Sequence, residues 1–110
     1  MTEENQNFEI WQGDDLQLTF AVEGVDSLEG VNIRWGYAPL PGGAPLAVKT
    51  IASGIAVSGT TFTVTLEPPD TLNARPGNYF HEAEISDDTQ TRTIAIGTMT
   101  IRPAILKESP

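Results

Sequence analysis

The feature that most constrains this chain is a period-two alternation of apolar and polar residues, broken at short intervals by clusters rich in glycine and proline. Thr61-Phe62-Thr63-Val64-Thr65-Leu66 shows it most cleanly, with every second residue apolar and threonines between. Successive side chains of a strand point to opposite faces, so this pattern describes strands with one buried face and one wet face. It recurs at Phe8 and Ile10, at Leu16, Leu18, Phe20 and Val22, and at Val31, Ile33, Trp35 and Tyr37. Leu46, Val48 and Ile51 suggest a fourth strand, with a short Ile55-Ala56-Val57 segment before the Thr61 strand. In a sixth strand Tyr79, His81, Ala83 and Ile85 share one face. No segment sustains a helical period, and the chain reads as all-β.

The interruptions are equally informative. Gln12-Gly13-Asp14 is a turn, and Pro39 to Pro45 contains three prolines and a Gly-Gly pair, which exclude a central strand. Glu67 to Gly77 is a long crossing connection, in which Asp70-Thr71-Leu72 suits one helical turn. In the last strand Ile94 and Ile96 share one parity and Met99 and Ile101 the other, which predicts a β-bulge at Gly97. Pro103 ends that strand. The domain therefore reads as an N-terminal arm over 1–7, a sandwich over 8–102 and a tail over 103–110.

About seven short antiparallel strands, a Trp on the third and a Tyr opening the sixth, form the pattern of an immunoglobulin-like β-sandwich, with a small barrel as the alternative. Trp35, Phe20, Phe62 and Tyr79 are the expected core, with Trp35 the largest single contribution. Pro76-Gly77-Asn78-Tyr79 resembles a tyrosine corner, in which the phenol bonds back to the crossing loop. Gly13 and Gly77 are expected at turns. The chain holds no cysteine, so neither a disulfide framework nor a thiolate metal site is available, and packing must hold the fold. A length of 110 residues fits one core.

Chemistry is harder to find than structure. His81 is the single histidine, and no nucleophile elbow, phosphate loop or spaced His/Glu metal motif occurs. In phase with Tyr79 and Ala83, His81 reads as a packed or edge-facing histidine rather than a catalytic base. Asp14-Asp15 and Asp87-Asp88 diverge on an extended chain, whereas calcium requires converging oxygens. Glu82 and Glu84 share a face but read as a solvated stripe. The sequence therefore assigns no catalytic residue, no metal ligand and no cofactor.

The formal net charge of −9 argues against nucleic acid, whose backbone is gripped by lysine and arginine. Before Arg34 there is no basic residue, while Glu3, Glu4, Glu9, Asp14, Asp15, Glu23, Asp26 and Glu29 are acidic. Such a block keeps a protein soluble and blunts strand edges, or it steers the domain onto a basic surface. No apolar run approaches the length of a membrane span, and the opening residues lack the character of a secretory signal. A reducing cytoplasm is the expected site of folding.

One resemblance joins these pieces. Phe8 to Leu16 with its Gly13-Asp14 turn, Leu28-Glu29-Gly30-Val31, Asp70-Thr71-Leu72 before Pro76-Gly77-Asn78-Tyr79, and Ile96-Gly97-Thr98-Met99-Thr100-Ile101 resemble small immunoglobulin-like virion proteins of tailed bacteriophages. They are also similar to the N-terminal docking module of phage upper baseplate proteins. Asp15 and Glu29 stand where that pattern commonly has threonine, and Asn73-Ala74-Arg75 lengthens the crossing. The resemblance implies a non-enzymatic structural protein of the virion, assembled in the host cytoplasm. It would be a capsid decoration or cement subunit, or else a tail or baseplate component. Its partners would be major capsid or tail subunits, with homo-oligomers possible, and no nucleic acid or membrane. A bacterial surface or carbohydrate-binding module is the alternative from a different class.

Overall fold

A computed structural model describes residues 6–105. Eight strands form two sheets: β1 (Phe8–Trp11), β2 (Leu16–Ala21), β3 (Asn32–Ala38), β4 (Ala47–Thr50), β5 (Ile55–Ser58), β6 (Thr61–Leu66), β7 (Gly77–Ser86) and β8 (Thr91–Arg102). One short helix, α1 (Pro68–Leu72), lies in the crossing between β6 and β7. The larger sheet has the order β1-β8-β7-β3-β4 and the smaller β2-β6-β5. The count is one above the expected seven because Ile55–Ser58 pairs with β6 as a strand of its own.

The pairing departs from an all-antiparallel sandwich at one place. β1 runs parallel to β8, with Phe8 opposite Met99 and Trp11 opposite Arg102. The cause is the turn after β1, which sends the chain across to the other sheet instead of back along β1. Gly13 makes that turn at φ 79°, a conformation costly for any residue with a Cβ. Its N–H donates to Thr71 Oγ1 at 2.9 Å, which ties the switch point to α1.

The core lies between the inner faces of the sheets. Trp35, Tyr37, Ile33, Ala83, Met99 and Ile101 from the larger sheet meet Phe20, Phe62, Val64 and Leu66 from the smaller. Phe20 and Phe62 stack with ring centroids 5.2 Å apart. Tyr79 donates from its hydroxyl to the Arg75 carbonyl at 2.6 Å, closing the corner at Pro76-Gly77. Tyr37, which the sequence marked only as a strand residue, makes a second such bond to the Asp70 carbonyl at 2.5 Å. The two phenols meet edge to face, so a pair of tyrosines anchors the crossing. Burial, the neighbouring Tyr79 and Asp70 push the Tyr37 hydroxyl up to about 12.

Two register expectations are corrected. The bulge in β8 is not at Gly97, which sits in regular register opposite His81. Pairing shifts where Ala83 and Glu84 face Ala95 and Thr93, leaving Ile94 as the extra residue. Ile94 and Ala95 are consequently both buried, while Ile96 turns outward. Gly97 is required for another reason: a Cβ there would lie 2.3 Å from the Gln6 carbonyl oxygen. The segment before β1 crosses β8 at this point, with Gln6 N–H bonded to the Ile96 carbonyl and Thr98 N–H to Asn7 Oδ1. Gln6 and Asn7, expected in a free arm, are thus held on the sheet; residues 1–5 and 106–110 lie outside the described part.

β4 is also inverted relative to its apolar residues. Leu46 and Val48 are exposed, and Lys49 is buried. Lys49 reaches Asp70 of α1 with Nζ–Oδ2 at 2.8 Å, and its stem lies against Gly54. A buried ammonium is tolerated only with such a partner.

Candidate binding face

His81 is the first residue to test for chemistry. It is buried, and both ring nitrogens are engaged: Trp35 Nε1–H donates to Nδ1 at 3.1 Å, and Nε2–H donates to the Gln6 carbonyl at 2.5 Å. This arrangement fixes the neutral Nε2–H tautomer. Phe8 packs edge-on against the ring at 5.0 Å. Burial holds the imidazole below its ordinary value, opposed in part by the bond to Gln6. A ring so placed locks the Gln6 segment to the core and presents no free nitrogen to a substrate. Among the described residues no group of three or more acidic or histidine side chains is placed to hold a metal.

The acidic residues between Glu9 and Glu29 are all exposed. Among the described residues only Glu9 of this set forms an ion pair, with Arg102 at 3.1 Å; this raises the pKa of the exposed guanidinium. Asp87 caps its own turn, bonding Thr89 and Gln90, which lowers its pKa. These positions follow from turn and edge geometry and bring no carboxylates together.

The outer face of the larger sheet is different. Opposite pairing places Val48, Gly36, Glu82 and Ile96 in one row across β4, β3, β7 and β8. Gly36 contributes no side chain, so the row dips at its centre. The Pro39–Pro45 loop rises at one end, with Leu40 66% exposed, and Phe80 stands beside it at 43%. At the other end Arg34 donates from Nε to Glu84 Oε1 at 2.9 Å. The result is a groove of about 630 Å³, bounded also by Asn7 and Thr98. Glu82 lies within it, exposed and with no ion-pair partner among the described residues.

The residues singled out from sequence therefore fall into two groups. Trp35, Tyr79, Phe20 and Phe62 are in the core, and Gly13, Gly77 and Gly97 are in the backbone turns or crossings. Of these, Trp35 and Gly97 border the groove and the other five do not. Phe80, Ile96, Val48 and Leu40 were not singled out, because each was read only within its own strand or loop and the face they share runs across four elements. The available signal was parity: Phe80, Glu82 and Glu84 alternate with the buried set on β7.

Sheet order, the Tyr79 corner and a core Trp on β3 define an immunoglobulin-like β-sandwich with an open groove on one sheet. No family model and no curated protein sequence matches this chain. Among solved structures it is similar to part of a protein from Bacteroides vulgatus described as a "putative glycoside hydrolase". The identity is 18% and the TM-score 0.49, over 87% of this chain and 16% of the other. The chain thus spans about one-sixth of that protein, and a superposition this loose carries no argument about activity.

Proposed function

We propose that this domain is a non-catalytic attachment subunit of a bacteriophage particle, a capsid decoration protein in the first instance and a tail component in the second. The observation that supports the reading is the groove on the larger sheet. Four exposed apolar side chains, Phe80, Ile96, Val48 and Leu40, gather on one face around Glu82. Contiguous apolar surface of this kind on a small domain marks a contact site. The sequence resemblance to phage virion proteins supplies the kind of particle. His81, whose nitrogens are both bonded inside the core, is spent on holding the fold.

Cosedimentation with purified phage capsids and with purified tails tests this. Binding to one of them, lost in Phe80→Lys and retained in a Thr63→Lys control, is the expected result. Absence of binding to both overturns it. An exposed ring beside a carboxylate also suits a sugar, so retention on a glycan array would transfer the face to the carbohydrate-binding alternative.

A further inference from the structure

We infer that residues 6–8 form an acid-opened cover over His81: protonating the ring lifts this segment off β8 while the rest of the sandwich stays folded. The inference stands apart from the attachment reading and does not depend on what fills the groove.

The closed fold has no place for a second proton on this ring. Trp35 Nε1–H already donates to Nδ1, and Nε2–H donates to the Gln6 carbonyl. A proton added at Nδ1 would set two donors against each other, and the indole, 1% exposed between the sheets, could turn away only by opening the core. Among the described residues no charge faces the ring to hold an imidazolium. From β3 it meets Trp35 and Tyr37, from β8 Gly97, and from the segment before β1 and its first residue Gln6 and Phe8. Tyr79 shares its face of β7, and both phenols are protonated donors to carbonyls. On the smaller sheet the inward residues Phe20, Phe62 and Val64 are apolar. Glu82 and Glu84, the carboxylates next to His81 along β7, alternate onto the outer face. Burial accordingly holds the imidazole below its ordinary value.

The two walls of this pocket are held with unequal strength. Trp35 belongs to β3, which is paired on both sides, whereas β1 is an edge strand with β8 alone as its neighbour. Residues 6–8 are fastened by Gln6 N–H to the Ile96 carbonyl, by Thr98 N–H to Asn7 Oδ1 and by the half-buried Phe8 ring against His81. Lifting them breaks these few contacts and leaves Trp35 and the smaller sheet in place. Openings of that size lie below the free energy of global unfolding. Once uncovered, the ring meets water at its ordinary value of 6.5. Below that pH each further unit favours the open state about tenfold, until the lowered closed value is reached.

Native-state amide exchange of the full chain tests this between about pH 7.5 and about pH 5.5, above the carboxylate range. Protection at Gln6 and Thr98 should fall about tenfold per pH unit below about 6.5. It should be insensitive to dilute urea, because the opening exposes little surface. Val22 N–H, bonded to the Thr60 carbonyl at the smaller sheet, should respond to urea steeply, as global unfolding does. His81→Gln keeps a donor and an acceptor at the site and takes up no proton, so protection at Gln6 and Thr98 should become independent of pH. Phe8→Ala thins the cover without touching either ring nitrogen. It should raise opening about tenfold and, by the same linkage, raise the titration midpoint of the His81 ring by about one pH unit. The inference fails if Gln6 and Thr98 exchange only with the urea dependence of Val22, if their protection ignores pH, or if it keeps its pH slope in His81→Gln. A ring midpoint unmoved in Phe8→Ala would place the proton inside the closed fold and would likewise overturn it.

Discussion

The two sheets bury the same kind of inner face and differ in what they show outside. Across β2 and β6 the outward residues are Gln17, Thr19, Ala21, Thr61, Thr63 and Thr65, and Thr19 and Thr63 bond each other at 3.0 Å. Such a surface is satisfied by water and by cross-strand threonine pairs. The larger sheet instead sets Phe80, Ile96 and Val48 around a glycine and a carboxylate with no ion-pair partner among the described residues. Solvation accounts for the first surface, while the second exposes apolar side chains around a groove. The proposed attachment rests on that contrast.

The inner face of the larger sheet should be the most sensitive part of the molecule. Trp35→Ala is expected to cost about 3–5 kcal/mol, because it opens a cavity and also removes the donor to His81 Nδ1. Urea unfolding followed by far-ultraviolet circular dichroism measures it. A loss under about 1 kcal/mol would show that the two sheets do not share one core around this indole.

Next in size is Gly97→Ala. A methyl group would meet the Gln6 backbone, so either the Gln6 segment leaves β8 or the strand shifts, at about 1–3 kcal/mol. Amide hydrogen exchange should show protection lost at Gln6 and Thr98, whose N–H groups bond across this crossing. Unchanged exchange at both would mean that the crossing does not need the glycine.

How much of this was legible in the sequence depends on whether each signal was local. Thr61 to Leu66 announced its strand because each residue's partner on the face is two positions away. Trp35 and the Tyr79 corner were readable for the same reason, since their roles follow from position within a strand or turn. β4 was inverted because Leu46 and Val48 outnumber Lys49 as apolar residues, and the force that turns Lys49 inward is Asp70, far along the chain. Gly97 was noticed as an exception but given the wrong cause. Two parities did meet in β8, yet Ile94 absorbs the shift, and the glycine answers to a backbone 91 residues away. The groove was invisible because it is a row across four strands, which no single stretch of sequence contains.

The Trp35–His81–Gln6 chain makes the larger sheet pH-sensitive in a way the smaller is not. Because burial holds the folded imidazole below 6.5, the unfolded chain takes up its proton first as pH falls. Stability is therefore full above about 6.5 and declines below it until the lowered folded value is reached, at up to about 1.4 kcal/mol per pH unit. Urea midpoints between pH 7.5 and the onset of carboxylate titration read the slope, and His81→Gln should flatten it. An equal slope in that variant would assign the decline to other groups.

The smallest effect on stability is expected where the comparison between sheets matters most. Thr63→Lys and Phe80→Lys each replace an outward residue near the middle of a sheet, and neither opens the core. Phe80→Lys should change stability by no more than about 0.5 kcal/mol, the usual range for exposed sites, and Thr63→Lys, at a half-buried site, by about 1 kcal/mol. Thr63→Lys also removes the Thr19 bond, which makes it the more costly of the two for folding. Attachment should invert that order. Phe80 forms the groove wall beside Glu82, and a lysine there withdraws the ring from the groove. Particle binding should thus fall in Phe80→Lys and persist in Thr63→Lys. Equal loss in both would mean that contact is spread over the two sheets, and then their different outer faces would reflect strand packing alone.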